Sequence, residues 1–537
     1  MNAPMRFLPR IPWRWWRRAA QLALLLLFFW LFRRTEYAGA DQLAGGENLF
    51  FRLDPLAGAA AMIAARQFLA AFWPAAVVVA LTLLLGRFFC GWVCPLGTLL
   101  DYFHRLIRPI TKRTNLANPR RPRAMRYVLL IAVLLAAALA FPLVGLVDPF
   151  AILVRGLAFC VDPLFYRGTD AGFAWLGNHA GGVPSFVRGH LLPYGATQFH
   201  GASVSAAILA TIFALEFVAR RFWCRYLCPA GAMMGLLGRR PLVRRTPAKV
   251  CPSCGECAAA CRMNALDRAE GFQPEACNLC MECVDRCPKG IVRFAVVGKA
   301  RGSRRPVDLS RRSLLTGVAL GVAIPGVATA ARLAGPRSVD PHLLRPPGAA
   351  DEKNFLSLCI RCGECMKVCP TNALQPTTLE AGLEGIFSPR LRPRFHFEPA
   401  TSEYKDCCEY SCTLCGQVCP TGAIPRLGEM AKHEHPTGKA YFDHSACLPW
   451  AQKTPCIRCE EMCPVPDKAI KILKTITIKG PDGQAVEIQQ PYIDRDLCIG
   501  CGNCESKCTI DGAPGIRVFR PDAPDPGTEF LLKAANK

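Results

Sequence analysis

Residues 251–288 read CPSCGECAAACRMNALDRAEGFQPEACNLCMECVDRCP and contain the pattern C-x2-C-x2-C-x3-C twice, at 251–261 and 277–287. Three cysteines on such a tight loop can direct their thiolates at one polynuclear metal centre, and the fourth ligand must then come from elsewhere. Structural zinc sites more often show two separated C-x2-C pairs. The spacing therefore favours an iron–sulfur centre over zinc.

The same spacing predicts a two-cluster module of the bacterial ferredoxin kind, because there the fourth cysteine of each run binds the cluster of the other run. The first 4Fe–4S cluster is expected to take three cysteines of the first run and the last of the second, namely Cys251, Cys254, Cys257 and Cys287. The second cluster takes the complementary set, namely Cys261, Cys277, Cys280 and Cys283.

Four more cysteine groups follow, and the first and last of them have regular ferredoxin spacing, whereas the middle two are irregular. In chain order the groups are Cys359, Cys362, Cys365 and Cys369; Cys408, Cys412, Cys415 and Cys419; Cys447, Cys456, Cys459 and Cys463; and Cys498, Cys501, Cys504 and Cys508. Cys407 could replace Cys408, but Cys408 is preferred because Cys407 would lengthen the first gap. With four cysteines for each 4Fe–4S cluster, the chain is expected to hold six clusters.

The pairing of these four groups has two solutions. If like pairs with like, the outer groups form one two-cluster module and the inner groups form another, nested inside it. Cys508 would then complete the first cluster and Cys369 the last, while Cys463 and Cys419 would be exchanged between the inner groups. Sequential pairing is the alternative, and its short linkers make it sterically easier. We expect the nested arrangement.

Thirty cysteines and a net charge of +24 narrow the class of protein. The cysteines are too tightly grouped for a secreted disulfide framework, which belongs to short chains with dispersed cysteines. Residues 1–335 hold 41 basic and 16 acidic residues, and the basic ones flank apolar segments. That placement is typical of the cytoplasmic loops of membrane proteins, so it indicates a membrane and no nucleic acid.

Apolar length and charge placement predict a membrane topology. Each of four early segments could cross a bilayer, and a weaker fifth follows: Trp13–Phe32, Phe68–Phe89, Tyr127–Val147, Ser203–Ala219 and Leu314–Leu333. The positive-inside rule places the amino terminus and residues 240–312 in the cytoplasm and the loop Asp148–Gly201 outside. The fifth span, preceded by the twin-arginine pair Arg311-Arg312, would place the rest of the chain in the periplasm.

The expected fold is an α-helical membrane domain joined to α+β ferredoxin-like 4Fe–4S domains. The predicted divisions are a four-span domain over 1–240, a cytoplasmic two-cluster module over 241–300, a linking span over 301–335 and a periplasmic four-cluster domain over 336–537. Within the last, Thr475–Ile478 and Ala485–Ile488 predict a hairpin.

A repeat occurs inside the membrane part. RFFCGWVCPLG at 87–97 and RFWCRYLCPAG at 221–231 align without gaps, and each carries C-x3-C-P at the predicted cytoplasmic end of a span. Helical i,i+4 spacing would put each cysteine pair on one helix face. The four thiols, of Cys90, Cys94, Cys224 and Cys228, could converge on one additional metal centre or form a redox dithiol. Buried structural cysteines are the alternative.

Residues 1–300 resemble NapH, the membrane quinol dehydrogenase component of periplasmic nitrate reductase systems, through the spans, the paired C-x3-C-P motifs and the two-cluster module. NosR-type polyferredoxins share these features. Residues 310–537 resemble the exported four-cluster ferredoxins NapG and MauM. The resemblance implies oxidation of quinol from the membrane pool at the bacterial inner membrane, with electron delivery to a periplasmic cytochrome or reductase. The alternatives are a NosR-like role in maturing a metalloenzyme and a metal reductase.

Quinol oxidation also needs a proton acceptor. Glu216 lies near the cytoplasmic end of the fourth predicted span. An ionisable residue within a span is a functional candidate, so Glu216 is the candidate catalytic residue. The alternative is an ion pair with Arg220, which follows at i+4.

Overall fold

The computed structural model describes residues 12–37, 39, 41–43, 45–109, 120–179, 197–247, 254–267, 271–296, 310–334, 340–349, 351–394, 406–479 and 485–523. The chain forms two compact units, each built from three separate stretches of sequence. The first unit comprises Met1–Arg33, Asn48–Gly156 and Val204–Gly326. The second comprises Arg34–Glu47, Leu157–Ser203 and Val327–Lys537.

The first unit is mainly helical. Its longer helices are Trp13–Arg34, Pro55–Ala65, Trp73–Leu85, Pro95–Ile107, Arg120–Ala138, Pro149–Gly156, Ala202–Val218, Pro229–Leu237 and Arg311–Ala334. Its shorter helical turns are Leu49–Arg52, Ala70–Phe72, Phe88–Trp92, Val144–Val147, Trp223–Leu227, Glu256–Ala259, Pro274–Ala276 and Glu282–Asp285. Local chemistry sets several of the ends. For example, the Asp54 carboxylate accepts from the backbone N–H of Leu56 at 2.8 Å, which caps the helix that begins at Pro55.

A small β-structure encloses the cysteine groups of the first unit. Strand Val243–Pro247 pairs antiparallel with Val292–Val296, so the two strands bracket both groups. Between them lies the short pair Leu266–Asp267 and Gly271–Phe272. The described elements have the α+β character of a ferredoxin-like module, and the bounds 241–300 stay a prediction.

Within the described residues, the second unit contains one long helix, Asp162–His179, several short helices and three antiparallel strand pairs. The helices are Asp162–His179, Glu352–Leu358, Glu364–Lys367, Gly382–Gly385, Leu414–Val418, Glu429–Glu434, Leu448–Ala451, Arg458–Glu461 and Asn503–Ser506, with a π-helical turn at Leu157–Val161. The paired strands are Leu374–Pro376 with Pro389–Leu391, Lys439–Phe442 with Ile516–Phe519, and Ile470–Lys479 with Ala485–Ile493. The last pair confirms the predicted hairpin and extends it; its turn, 480–483, lies outside the described residues.

Two helices among the described residues are long and apolar enough to cross a membrane, Pro149–Phe173 and Arg311–Ala330. The second coincides with the predicted fifth span, whereas the first lies in the loop predicted to be outside. Three of the other predicted spans contain apolar helices, at Ala70–Leu85, Ala124–Ala138 and Ala202–Val218, which are shorter than the roughly 20 residues that span a bilayer. The four-span domain is therefore not confirmed.

Candidate iron–sulfur centres

The ligand loops share a backbone conformation that explains their sequence. The residue after the second cysteine is left-handed in four of the loops, and it caps the short helix that carries the third cysteine: Gly255, Met281, Gly363 and Gly502, with φ between 59° and 91°. Three of the four are glycine, because glycine adopts this conformation without steric cost. The loop can then wrap three thiols around one point.

Three cavities in the second unit are each lined by four cysteines. Their sets are Cys359, Cys362, Cys365 and Cys419; Cys447, Cys456, Cys459 and Cys508; and Cys463, Cys498, Cys501 and Cys504. Burial, followed by the charges of Cys447 and Cys456, raises the pKa of Cys459 to about 12. Bound iron would remove this cost, because it supplies the positive charge that thiolates require.

The remaining cysteines of the second unit form a fourth set. The charge of Cys369 acts on Cys408, Cys412 and Cys415, which are also near one another. All four sets thus fit a 4Fe–4S cluster in ligand number and type. Each set contains three cysteines of one group and the last cysteine of a neighbouring group.

The nested pairing is wrong. The first group takes Cys419, and Cys369 joins the second group; the third group takes Cys508, and Cys463 joins the fourth. The pairing is sequential because consecutive groups are folded into one module: strands Lys439–Phe442 and Ile516–Phe519 close around the third and fourth groups. The long first gap of the third group is a loop between Cys447 and Cys456, whose residues 451–455 are exposed.

The two modules of the second unit meet at the adjacent cysteines. The backbone N–H of Cys408 donates to the carbonyl of Cys501 at 2.8 Å. Cys407 is buried, and its charge acts on Cys501 of the other module. Cys408 is instead near Cys369, whose charge acts on it. Cys408 therefore fits the ligand position as expected, and Cys407 lies between the two modules. These neighbour relations give a series of four sets that begins with the Cys359 set and ends with the Cys447 set.

The ends of this series differ in exposure. Residues 355–368, which include the first ligand loop, are all buried. Two earlier segments of the second unit, Arg34–Glu47 and Leu157–Ser203, help to cover this module. Lys367 pairs with Glu36 at 3.1 Å, and Gln375 donates to the carbonyl of Gln198 at 3.0 Å. At the other end, the loop beside Cys456 is exposed to solvent.

In the first unit, one predicted cluster site is supported. The charges of Cys261, Cys280 and Cys283 all act on Cys277, which is the predicted ligand set. Cys254 and Cys257 are described, but Cys251 lies outside the described residues, so the other predicted set stays a prediction.

Each C-x3-C-P repeat forms a short helical turn, a break and a second helix. The second cysteine is the residue before the new helix, at Cys94 and Cys228, and proline opens that helix. The residue before proline is disfavoured in helical conformation. The prediction that each cysteine pair shares one helix face is therefore wrong. The four thiols are nonetheless near one another. This proximity is seen at Cys228, on which the charges of Cys90, Cys94 and Cys224 all act.

The repeats hold each other through a reciprocal arginine exchange. Arg87 of the first repeat donates to the carbonyl of Cys224 at 3.4 Å. Arg221 of the second repeat donates to the carbonyls of Cys90 and Gly97 at 2.8 and 2.9 Å. Both arginines are fully buried. The exchange explains why each repeat contains an arginine three residues before its first cysteine.

The second ferredoxin loop packs directly on these repeats. Trp92 donates from its indole nitrogen to the carbonyl of Leu279 at 3.0 Å. A side-chain carbon on Gly91 would lie 2.1 Å from the carbonyl oxygen of Asn278, so only glycine fits there. Leu279 precedes the predicted ligand Cys280, and Trp92 lies between Cys90 and Cys94. The hydrogen bond from Trp92 to Leu279 therefore joins the first repeat to the ligand loop.

A buried charge network surrounds this contact. The Asp101 carboxylate pairs with Arg221 at 2.8 Å and Arg17 at 3.5 Å, and it also binds Arg262. Burial alone would raise the pKa of Asp101, but the guanidinium groups of Arg221 and Arg262 hold it far below its usual range. Arg262 adjoins the ligand Cys261, so Asp101 connects the first repeat to the cluster module.

Among the residues that the structure describes, no three or more His, Cys, Asp or Glu side chains are placed to hold a single metal ion. The thiols of Cys90, Cys94, Cys224 and Cys228 therefore stay a predicted metal or dithiol site. Glu216 is fully buried and lies 3.5 Å from His104, between its Oε2 and the imidazole Nδ1. Its alternative partner Arg220 pairs instead with Glu282 at 3.6 Å.

Sequence reasoning missed three groups that the structure places at these sites. Asp101 and His104 lie on the helix after the first repeat, where single polar residues give no spacing pattern. Lys432 is buried and donates to the carbonyls of Tyr410 and Cys412 at 3.0 and 2.9 Å, which holds the second ligand loop. The only local signal for Lys432 was its position in a short polar helix near a cysteine group.

Comparisons with known proteins agree with this geometry. A family described as a 4Fe-4S binding domain matches residues 67–114 and again 202–248, so both repeats belong to one domain type. A 4Fe-4S dicluster domain matches residues 358–423, which span the sequentially paired first and second groups. A further 4Fe-4S binding domain matches residues 491–511. No solved structure matches the chain.

These domains and cysteine sets define an iron–sulfur electron-transfer protein. The chain is 35% identical over 218 residues, 40% of its length, to the methylamine utilization ferredoxin-type protein MauM of Methylorubrum extorquens, of which the match covers 91%. It is 32% identical to the ferredoxin-type protein NapG of Escherichia coli, covering 37% of this chain and 78% of that protein. MauM of Paracoccus denitrificans is 32% identical, with 38% and 84% covered. The chain belongs to the MauM/NapG family of ferredoxin-type proteins.

Proposed function

We propose that this protein is a membrane-bound quinol dehydrogenase that passes electrons through six 4Fe–4S clusters to a periplasmic cytochrome or reductase. The observation that carries the proposal is the contact between the C-x3-C-P repeats and the ligand loop at Leu279 and Cys280. Beside the thiols of the repeats stands the buried carboxylate of Glu216, whose charge acts on Cys224. A group that accepts protons, four thiols and a cluster site are thus contiguous in one unit.

The division of the chain into two units supports the proposed topology. Two segments expected on the outer side, Arg34–Glu47 and Leu157–Ser203, belong to the same unit as the four-cluster domain, which is also expected outside. The two-cluster module expected in the cytoplasm belongs to the other unit. A reporter that is active only in the periplasm, fused after Lys537, tests this arrangement and would stay inactive if the domain were cytoplasmic.

The exposed end of the cluster series is the proposed exit for electrons. Transfer between proteins requires a cluster near the surface, and the loop beside Cys456 is exposed, whereas the first ligand loop is buried. The periplasmic acceptor would therefore dock at the end of the second unit that holds the Cys447 set. When bound, the clusters supply one-electron chemistry; the protein sets their spacing and surroundings.

The function is tested by mixing the anaerobically purified, oxidised protein in nanodiscs with decylubiquinol or a short-chain menaquinol and following the visible absorbance of the clusters. We expect bleaching by one of the quinols. A Cys224→Ser variant should be bleached more slowly by quinol but at the normal rate by dithionite. A wild-type protein that dithionite reduces but neither quinol reduces would contradict the proposal and would favour a role in metalloenzyme maturation.

A further inference from the structure

We propose that His104 and Glu216 act together as a proton relay, in which Glu216 takes a proton from the quinol and His104 takes the second and carries both toward solvent. The inference rests on the proposed function, which it deepens by adding His104 and a direction for the protons.

The pair joins two helices that flank the repeats. His104 lies near the end of helix Pro95–Ile107, and Glu216 lies near the end of helix Ala202–Val218. The imidazole Nδ1 is 3.5 Å from the carboxylate Oε2, within reach of a hydrogen bond after a small movement. The two residues thus connect the segments that follow the first repeat and precede the second.

The pair has hydrogen-bonding capacity that the described part of the chain does not fill. Neither carboxylate oxygen of Glu216 nor the Nδ1 of His104 has a hydrogen-bond partner among the described residues, although all three atoms are buried. A buried carboxylate without hydrogen bonds is costly, so it is retained where another group completes it. A quinol hydroxyl has the required chemistry, because it donates one hydrogen bond and carries the proton to be removed.

The surroundings suit an aromatic, lipid-soluble molecule. Phe103 precedes His104, and its ring lies 5.0 Å from Phe213 and 6.0 Å from Phe217, which follows Glu216. Phe217 is 42% exposed, and Leu106 is 77% exposed. An apolar, accessible surface therefore adjoins the buried acid–base pair, as a molecule arriving from a bilayer requires.

The two residues together balance the proton count. Oxidation of a hydroquinone to a quinone breaks two O–H bonds and releases two protons and two electrons. Glu216 accepts one proton and His104 accepts the other, while the electrons leave one at a time for the iron–sulfur clusters. Glu216 has no solvent exposure, whereas the His104 side chain is 15% exposed, so the proton on Glu216 leaves through His104.

The test compares Glu216→Gln, His104→Ala and the double variant with wild type in nanodiscs. The same-helix control is Thr211→Ala, whose hydroxyl only donates to the carbonyl of Ala207. Cluster reduction by quinol is measured in the stopped-flow, and reduction by dithionite reports intact clusters. We expect each single variant to slow quinol reduction about 10²-fold or more. The double variant should be no slower than the slower single variant, since the pair acts as one unit.

Added imidazole separates a relay from a structural role. It should restore quinol reduction in His104→Ala, because a small base can replace the missing side chain at a partly exposed position, and it should not restore Glu216→Gln. Normal quinol reduction by His104→Ala, or slowing that imidazole leaves unchanged, would overturn the relay while leaving the proposed function intact. If His104→Ala loses its clusters, the isosteric variant Glu216→Gln provides the test. A wild-type rate of quinol reduction in Glu216→Gln would then overturn the relay. A wild-type protein that no quinol reduces would overturn both.

Discussion

At the scale of the residue, buried charges join the first helix, the second repeat and the cluster module of the first unit. The Asp101 carboxylate pairs with Arg17, Arg221 and Arg262, each at most 1% exposed, and Glu282 is a second carboxylate for Arg17 and Arg262. The arginines come from the first helix, the second repeat and the cluster module. Removing one member of such a group leaves uncompensated charge in a medium that solvates it poorly.

We therefore expect Asp101→Asn to destabilise the protein by about 3–5 kcal/mol, because buried Arg221 would lose its counter-charge and Arg17 and Arg262 would keep only Glu282. The loss is measured as a lower temperature at which the visible absorbance of the clusters disappears. The control is Asp522→Asn: Asp522 pairs with Arg520 at the surface, where its side chain is 61% exposed. Its loss should cost less than about 1 kcal/mol. Equal effects of the two substitutions would show that the Asp101 network is not structural.

The ligand cysteines could be predicted from the sequence because three ligands of each cluster lie within one loop, and loop spacing is visible in the chain. Asp101 and His104 could not be predicted, because their partners lie far away in sequence and single polar residues in a helix carry no pattern. Glu216 was predicted from its unusual place in an apolar helix, but its partner was not. In the structure Glu216 lies beside His104, whereas Arg220, which is closer in the sequence, pairs with Glu282.

At the scale of the element, the ligand loops depend on left-handed residues, and the fourth loop of the second unit depends on them most. Both Gly500 and Gly502 are left-handed there. A side-chain carbon on Gly500 would lie 2.3 Å from backbone atoms of Gly438, which cannot move aside as a flexible side chain would. The cluster completed by Cys463 therefore requires glycine at this position.

Gly500→Ala should prevent assembly of that cluster, seen as the loss of about four irons per chain from the value for wild type, since one 4Fe–4S centre is lost. Gly512 provides the matched control, because it has a similar φ of 78° but nothing within 4 Å of an added carbon. Gly512→Ala should keep its iron and cost about 1 kcal/mol through backbone strain alone. Normal iron content in Gly500→Ala would show that the close approach to Gly438 is not required.

The pairing of the cysteine groups shows where prediction at this scale fails. Regular and irregular spacing suggested that like pairs with like, but spacing describes a loop and not its partner. The group that supplies the fourth ligand is set by the strands that fold two consecutive groups into one module. Strands Lys439–Phe442 and Ile516–Phe519 pair around the third and fourth groups in this way. The prediction for the C-x3-C-P repeats failed in a similar way. The i,i+4 spacing of their cysteines suggested one continuous helix, but the proline after the second cysteine begins a new helix.

At the scale of the whole molecule, the chain combines two iron–sulfur units of different construction. In one, a ferredoxin-like module packs on helices that carry the C-x3-C-P repeats. In the other, two modules meet through the hydrogen bond from Cys408 to Cys501 and form a series of four cluster sites. The number of membrane spans predicted from the sequence was not confirmed, because apolar segments of 10–17 residues suit a buried helix as well as a membrane.

The most direct test of the whole account is the metal and sulfide content of the full chain after anaerobic purification, with spin quantification of the dithionite-reduced protein. Six 4Fe–4S clusters predict about 24 iron and about 24 acid-labile sulfide per chain, with magnetically coupled signals from the paired clusters. Four further irons, lost in a Cys224→Ser variant, would place a seventh cluster at the repeats. Stoichiometric zinc with little iron and sulfide would contradict the account, because the cysteine groups would then be structural zinc sites rather than an electron path.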